Sequence, residues 1–178
     1  MKKLFLYLLI ITVLLLVSAP KETLAMEGVA VINIQDIMRD SLAAKSVKKK
    51  LEAKQKSFQA EMTKKEKDLQ KKERDLVKQR GTLSQVEFDK KAKSFQQAAT
   101  KAQRDVQTKK AKLDKAFSDS LATIQKTVTD IAKSIAKERG VKLVLPTSQL
   151  LYADPSLDIT KEVLAQLNKK LPNVKVNF

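Results

Sequence analysis

The 178-residue chain has no cysteine, no histidine and no tryptophan; only three residues are glycine, and aromatic residues make up 4% of it. Each shortage removes a class of function. Without Cys or His there is no Cys/His zinc site, no thiol nucleophile and no Ser-His-Asp triad. A chain free of thiols also suits an oxidising compartment, where stray thiols are a liability. Few aromatics beside 31% charged residues leave little material for a large globular core. No G-x-x-x-x-G-K-S/T loop occurs, so no nucleotide-driven cycle is expected. The acidic residues are scattered opposite lysines, with no convergent carboxylate pair on a rigid loop. An enzyme is therefore the least favoured class, and no cofactor or metal is expected.

What is present begins with an address. Lys2 and Lys3 form a basic start, Leu4 to Val17 is an apolar run, and SAPKETLA follows as a polar stretch ending in Ala25. That three-part order is a secretory signal peptide, residues 1–25. An uncleaved anchor is the competing reading, but the apolar run is shorter than the ~20 residues a spanning helix needs. Cleavage after Ala25 leaves small residues at both critical positions, whereas a cut after Ala19 would put Pro20 just past the bond. No Cys follows to carry a lipid. The mature chain is thus expected to be exported. It keeps a net charge of +14, and residues 45–112 carry 22 Lys and Arg against 9 Asp and Glu.

Three zones make up the mature chain. Residues 26–35 hold the β-branched run Gly28 to Ile34, which predicts a buried strand. Residues 36–139 predict helix with one interruption. Residues 140–178 open with Gly140 as a helix-ending residue. Val141 to Leu145 then predicts a second strand, Gln149 to Ala153 a third, and Ile159 to Lys170 a short helix capped by Asp158. The alternating tail Val174 to Phe178 predicts an edge strand. Short strands need partners, so the two β zones must meet and the helical stretch must go out and return. The reversal falls near 81–84. Gly81 can take the left-handed conformation that ends a helix, and Ser84-Gln85-Val86-Glu87 has capping-box form. The predicted fold is mainly α with a small β body: a long antiparallel, coiled-coil-like hairpin projecting from an oligomerisation base.

Heptad spacing predicts the seam of the arm. Met62, Leu69, Leu76 and Leu83 form one outgoing column, beside Leu51, Phe58, Lys65, Lys72 and Gln79. Phe88, Phe95, Ala102 and Lys109 return beside Ala92, Ala99, Val106 and Leu113. Phe117, Leu121, Ile124, Val128, Ile131 and Ile135 continue inwards, with a four–four spacing at Leu113–Phe117–Leu121 that should alter the supercoil. The seam thins towards the tip, so the arm should be helical yet able to splay. An outgoing helix of roughly 38 residues would reach about 55 Å.

The opening "VAVINIQDIM", the long charged hairpin and the closing "GVKLVLPTSQLLYADPSLDITKEVLAQLNKK" together resemble the Skp/OmpH family of periplasmic chaperones, over Val29 to about Lys170. The resemblance implies a homotrimer with a β-rich body and three helical tentacles around a cavity. It implies an ATP-independent holdase for unfolded outer-membrane proteins. Candidate client-binding residues are Phe58, Met62, Leu69 and Leu76, with Phe88 and Phe95 opposite. The competing role for these six is to hold the hairpin together. The distal basic surface comprises Lys64, Lys65, Lys71, Lys72, Arg74, Lys78, Arg80, Lys90, Lys91 and Lys93. It suits clients of net negative charge. The alternative function is a basic coiled-coil structural protein of the envelope that contacts anionic lipid or nucleic acid. Against specific nucleic-acid binding stand the export signal and the lack of stacking aromatics along the arm.

Overall fold

A computed structural model describes residues 28–178; the expected signal peptide lies outside them. The zones at the two ends of the mature chain meet as a two-stranded sheet. Strand β1 (Val29–Ile32) pairs in parallel with β2 (Leu143–Pro146), Val29 opposite Leu143 and Ile32 opposite Pro146. Parallel strands require a long crossover. Here the crossover is the whole helical excursion: α1 (Ile34–Asp40), α2 (Leu42–Gln79) and α3 (Gln85–Glu138). Helix α4 (Thr160–Lys170) then packs against α1 and α3.

Local chemistry sets each boundary. At the tip the Ser84 hydroxyl accepts from the Glu87 N–H and the Glu87 carboxylate accepts from the Ser84 N–H, so the capping box is complete. At the root, Gly140 has φ +68°, and Val141 N–H bonds to Ala136 O at 2.8 Å. That is the left-handed helix ending expected of this glycine. Gly81 differs from expectation: it is not among the positive-φ residues, and the chain leaves α2 through right-handed bonds from Thr82 and Leu83 to Gln79 O. The helix ends here because Ser84 offers a new start, not because glycine supplies a left-handed step.

A second break, at Ser41, interrupts what the sequence presents as continuous helix. Ser41 adopts extended backbone (φ −67°, ψ 144°), ends α1, and caps α2 by accepting from Ala44 N. Apolar residues continue through the break, which hides it. A tertiary contact joins the local cap there. Two side chains of α4 reach over to the starts of these helices: Thr160 Oγ1 accepts from Asn33 N–H and Asn168 Oδ1 accepts from Leu42 N–H, both at 2.8 Å.

The body has two strands, fewer than expected. Gln149 to Ala153 is no strand; a 3-10 turn over Thr147–Gln149 leads into irregular chain with Leu151 and Tyr152 fully or largely exposed. The tail is not an edge strand either, since Val174 packs into the core instead of pairing. A 3-10 turn over Pro155–Leu157, capped by Asp154, leads to the short helix, which begins one residue later than expected: Ile159 is its cap residue, and Asp158, just before it, accepts from Thr160 N–H through Oδ1 at 2.7 Å. The core gathers Ile37, Val47, Ile124, Ile131, Ile135, Ile159, Val163 and Leu167, all at the base.

Along α3 the buried line is Ala116, Ser120, Ile124, whereas Phe117 is half exposed. Expectation placed Phe117 inside. Small side chains hold the inner line near the base, and Phe117 is displaced to the flank, where it lines a cleft with Met38 and Leu51. Between Lys48 and Lys115 no side chain of either helix is buried. Among the described residues, no helix is long and apolar enough to cross a membrane.

The two glycines predict opposite outcomes in thermal melts. Gly81→Ala meets no atom within 4 Å at its new Cβ, and should raise stability by about 0.4–1 kcal/mol through the unfolded state. Gly140→Ala should lower it by roughly 1–2 kcal/mol, the cost of a left-handed non-glycine residue.

Candidate functional site

The arm is two helices joined by half-buried residues and crossed by charge. Its polar layers pair with one another. Lys65 Nζ lies 2.5 Å from Asp105 Oδ2 and 3.5 Å from Glu61 Oε1, and Lys109 also bonds Glu61. Nearer the tip, Lys91 Nζ donates to Gln79 Oε1 at 2.6 Å. Lys65 and Gln79 thus occupy the polar half of the outgoing column as the spacing predicts, each matched across the arm. The sequence places Lys65 on the basic surface; the pairing draws it half into the seam. The other nine residues of that surface are exposed: Lys64, Lys71, Lys72, Arg74, Lys78, Arg80, Lys90, Lys91 and Lys93.

The six candidate client-binding residues are all half-buried, and four of them occupy three distinct settings. Phe58 carries two ammonium groups near its ring, Lys54 at 4.9 Å and Lys109 at 4.5 Å from the centroid. Leu69 faces Ala98 and Ala102 across a cleft of about 230 Å³, with Lys65, Lys72, Lys101 and Asp105 at its margin. Leu76 and Phe95 share a second cleft of about 290 Å³ with Lys72 and Lys91. Met62 lies between the Phe58 and Leu69 levels, and Phe88 stands near the tip. Leu76 and Phe95 meet as a facing pair in one cleft. Val106 points outwards, half exposed, because the neighbouring Asp105 takes the inward position to reach Lys65.

Sequence reasoning missed one apolar site. At the root, Met38, Val47, Leu51, Phe117, Leu121 and Ile124 line a cleft of about 470 Å³ between α1, α2 and α3. Its signal was the four–four spacing at Leu113–Phe117–Leu121, which spreads apolar residues over more of the helix than one seam can cover.

The charge ladder has a definite electrostatic state. The Lys109 hydrogen bond holds the Glu61 carboxyl below its ordinary range, and the Lys65 hydrogen bond does the same for Asp105. The bond to Asp105 raises Lys65 in return. Lys101 and Lys109 also face Asp105 and act in the same direction.

Against this architecture the comparisons are direct. The family model described as "Outer membrane protein (OmpH-like)" matches residues 28–167. The chain belongs to the OmpH-like family. Its fold is shared by a candidate outer membrane chaperone (OmpH-like) from Caulobacter crescentus CB15, known from a crystal structure. That likeness has a TM-score of 0.77 at 20% identity and covers 84% of this chain and 89% of the other. No curated protein sequence matches the chain. The general role of this OmpH-like protein is that of its family, a periplasmic chaperone for outer-membrane proteins. The matched segment takes in β1, the whole arm, β2 and most of α4, and stops short of the tail.

The ladder predicts a pH response. Glu61 and Asp105 are depressed in the folded state, so their contribution is present above the ordinary carboxylate range and is lost as pH falls through their lowered values. Below pH ~4 the arm should therefore widen. The check is a spin-label distance between Lys64→Cys and Gln103→Cys, in a chain with no other cysteine. Glu61→Gln/Asp105→Asn should abolish the pH dependence of that distance, leaving the arm wider at neutral pH.

Proposed function

We propose that the mature chain, released by cleavage after Ala25, is an ATP-independent periplasmic holdase. It shields unfolded outer-membrane β-barrel proteins within a space bounded by helical arms. One observation carries the reading: a chain of the OmpH-like family keeps its buried core at the base and builds a long arm with no buried residue.

A β-barrel protein before insertion exposes apolar strands and unpaired edges, which aggregate in water. A holder for such clients needs many weak contacts and a surface that yields. The arm provides both. Phe58, Met62, Leu69, Leu76, Phe88 and Phe95 lie in a half-open seam, so a modest separation of α2 and α3 would offer them to a client. Met62 suits this use because its side chain adapts to varied shapes. The nine exposed basic residues surround the seam and attract clients of net negative charge over a screened range. Binding of this kind consumes no nucleotide, and release follows when the client reaches a more favourable fold.

The base is the place where copies would join. Leu143 is half exposed, and Leu151 and Tyr152 stand largely in solvent beside the sheet. A two-stranded sheet leaves edges that invite further pairing or covering. Three copies joined there, as the family resemblance implies, would point their arms the same way and enclose a cavity. Basic arms also suit anionic lipid headgroups near the membrane.

Two measurements test this. A urea-unfolded outer-membrane β-barrel diluted into ~0.15 M salt, where screening acts over about 8 Å, should scatter little light when the mature chain is present without nucleotide. Saturation at a fixed number of chains per client is expected. Scattering equal to that of the barrel alone would refute the holdase and favour a structural or lipid-contacting arm. In sedimentation, the mature chain should run as an oligomer at micromolar concentration, and Leu151→Asp/Tyr152→Asp should shift it towards monomer.

A further inference from the structure

The last seven residues, Pro172 to Phe178, follow α4, lie beyond the segment that the family model matches, and form no strand. They nevertheless have one-sided contacts. Val174 is buried and Val176 packs against the core, while the alternate residues Lys175 and Asn177 are exposed, as is the terminal Phe178. The surface beneath is a row of α2 residues four apart, Ser46, Lys50, Lys54 and Phe58, which lie on one side of a helix. Ser46 Oγ accepts from Val174 N–H at 3.4 Å, and Lys50 Nζ donates to Val174 O at 2.6 Å. Lys54 Nζ lies over the Phe178 ring at 5.3 Å and over the Phe58 ring at 4.9 Å.

These contacts recognise a pattern rather than a sequence. They take the main chain at one residue, apolar side chains at alternate positions, and an aromatic ring at the end. No backbone-to-backbone hydrogen bond holds residues 172–178. The fit is also imperfect in charge: the tail brings Lys175 next to the residue held by Lys50, in a neighbourhood already rich in ammonium groups. The same pattern describes a strand of a membrane β-barrel, with alternating apolar and polar residues and aromatic girdles at its ends.

We propose that the Ser46–Lys50–Lys54–Phe58 row is a seat for an extended, alternating segment ending in an aromatic residue. The chain's own tail occupies it until an unfolded outer-membrane strand of that pattern displaces the tail. The inference rests on the holdase reading for the identity of the displacing strand. It adds a defined recognition site at the root of an arm whose other contacts are diffuse.

The test uses two fluorescent peptides with the mature chain: one of sequence LPNVKVNF, and one of the same composition reordered to lose the alternation. Anisotropy reports binding. A variant ending at Leu171 frees the whole seat, the Ser46 and Lys50 groups that hold Val174 included, and circular dichroism checks its fold; Val176→Ser/Phe178→Ser, which keeps Val174 in the core, frees only the Lys54–Phe58 half and should gain less. A seat filled by its tail about nine-tenths of the time binds a competitor about ten-fold more weakly than a vacant one. The truncated variant should therefore bind the alternating peptide about ten-fold tighter than the unaltered chain, and adding Lys54→Gln should remove most of that gain. Equal affinity of the truncated and unaltered chains for the alternating peptide, or equal affinity of the truncated variant for both peptides, would overturn the seat. Light scattering with a full-length barrel separates the two claims. Suppressed aggregation without peptide discrimination would overturn the seat and leave the holdase. Peptide discrimination without suppression would uphold the seat and overturn the holdase, and with it the outer-membrane strand as displacing ligand.

Discussion

Parallel pairing of two four-residue strands is the constraint on which the rest of this molecule depends. Strands that run the same way cannot be joined by a tight turn, so the chain between β1 and β2 must travel and come back. A helical hairpin meets that requirement with local hydrogen bonds alone. Its length is then free, because the strands ask only that both ends arrive together. Helix α4 completes the base by covering α1 and α3 and by lending Thr160 and Asn168 to backbone donors at the helix starts. Stability is concentrated where the chain ends meet, and the arm is released from carrying it.

That division explains the composition. A buried Leu or Ile contributes about 1.5–3 kcal/mol, and the base spends its aliphatic residues there: Ile124, Ile131, Ile135, Ile159 and Leu167 lie within one cluster. The arm uses alanine and paired charge instead. Exposed ion pairs contribute little to stability, but charges matched across two helices do fix which residue stands opposite which. Lys65 with Asp105, and Lys91 with Gln79, set the register of an arm that no apolar core defines.

The sequence was legible where structure is local. The S-x-x-E pattern at Ser84 located the restart of helix because a capping box uses only neighbouring atoms. Gly140, followed by a β-branched run, marked the return to the base for the same reason. Ser41 was not legible, since the helix that restarts there meets a side chain arriving from residue 168, which accepts from Leu42 N–H. The third strand and the edge strand were read from alternation, which records which side of the chain is apolar but not what covers it. For Val174 the cover is the core and helix α2, not a neighbouring strand. In the arm, heptad spacing found the seam, yet it could not say that Asp105 rather than Val106 turns inwards. That choice depends on the charge of Lys65 across the interface.

The matched polar layers of the arm have one more consequence. A seam glued by leucines would resist parting and, once parted, could re-form one heptad out of step, since leucine meets leucine equally well at either setting. A seam that places lysine against aspartate at one level, and lysine against glutamine at another, has one setting in which all its partners meet. Such an arm behaves like a zip with keyed teeth: it gives way under a modest load, and it closes each time to the same tooth, carrying no record of what it last held.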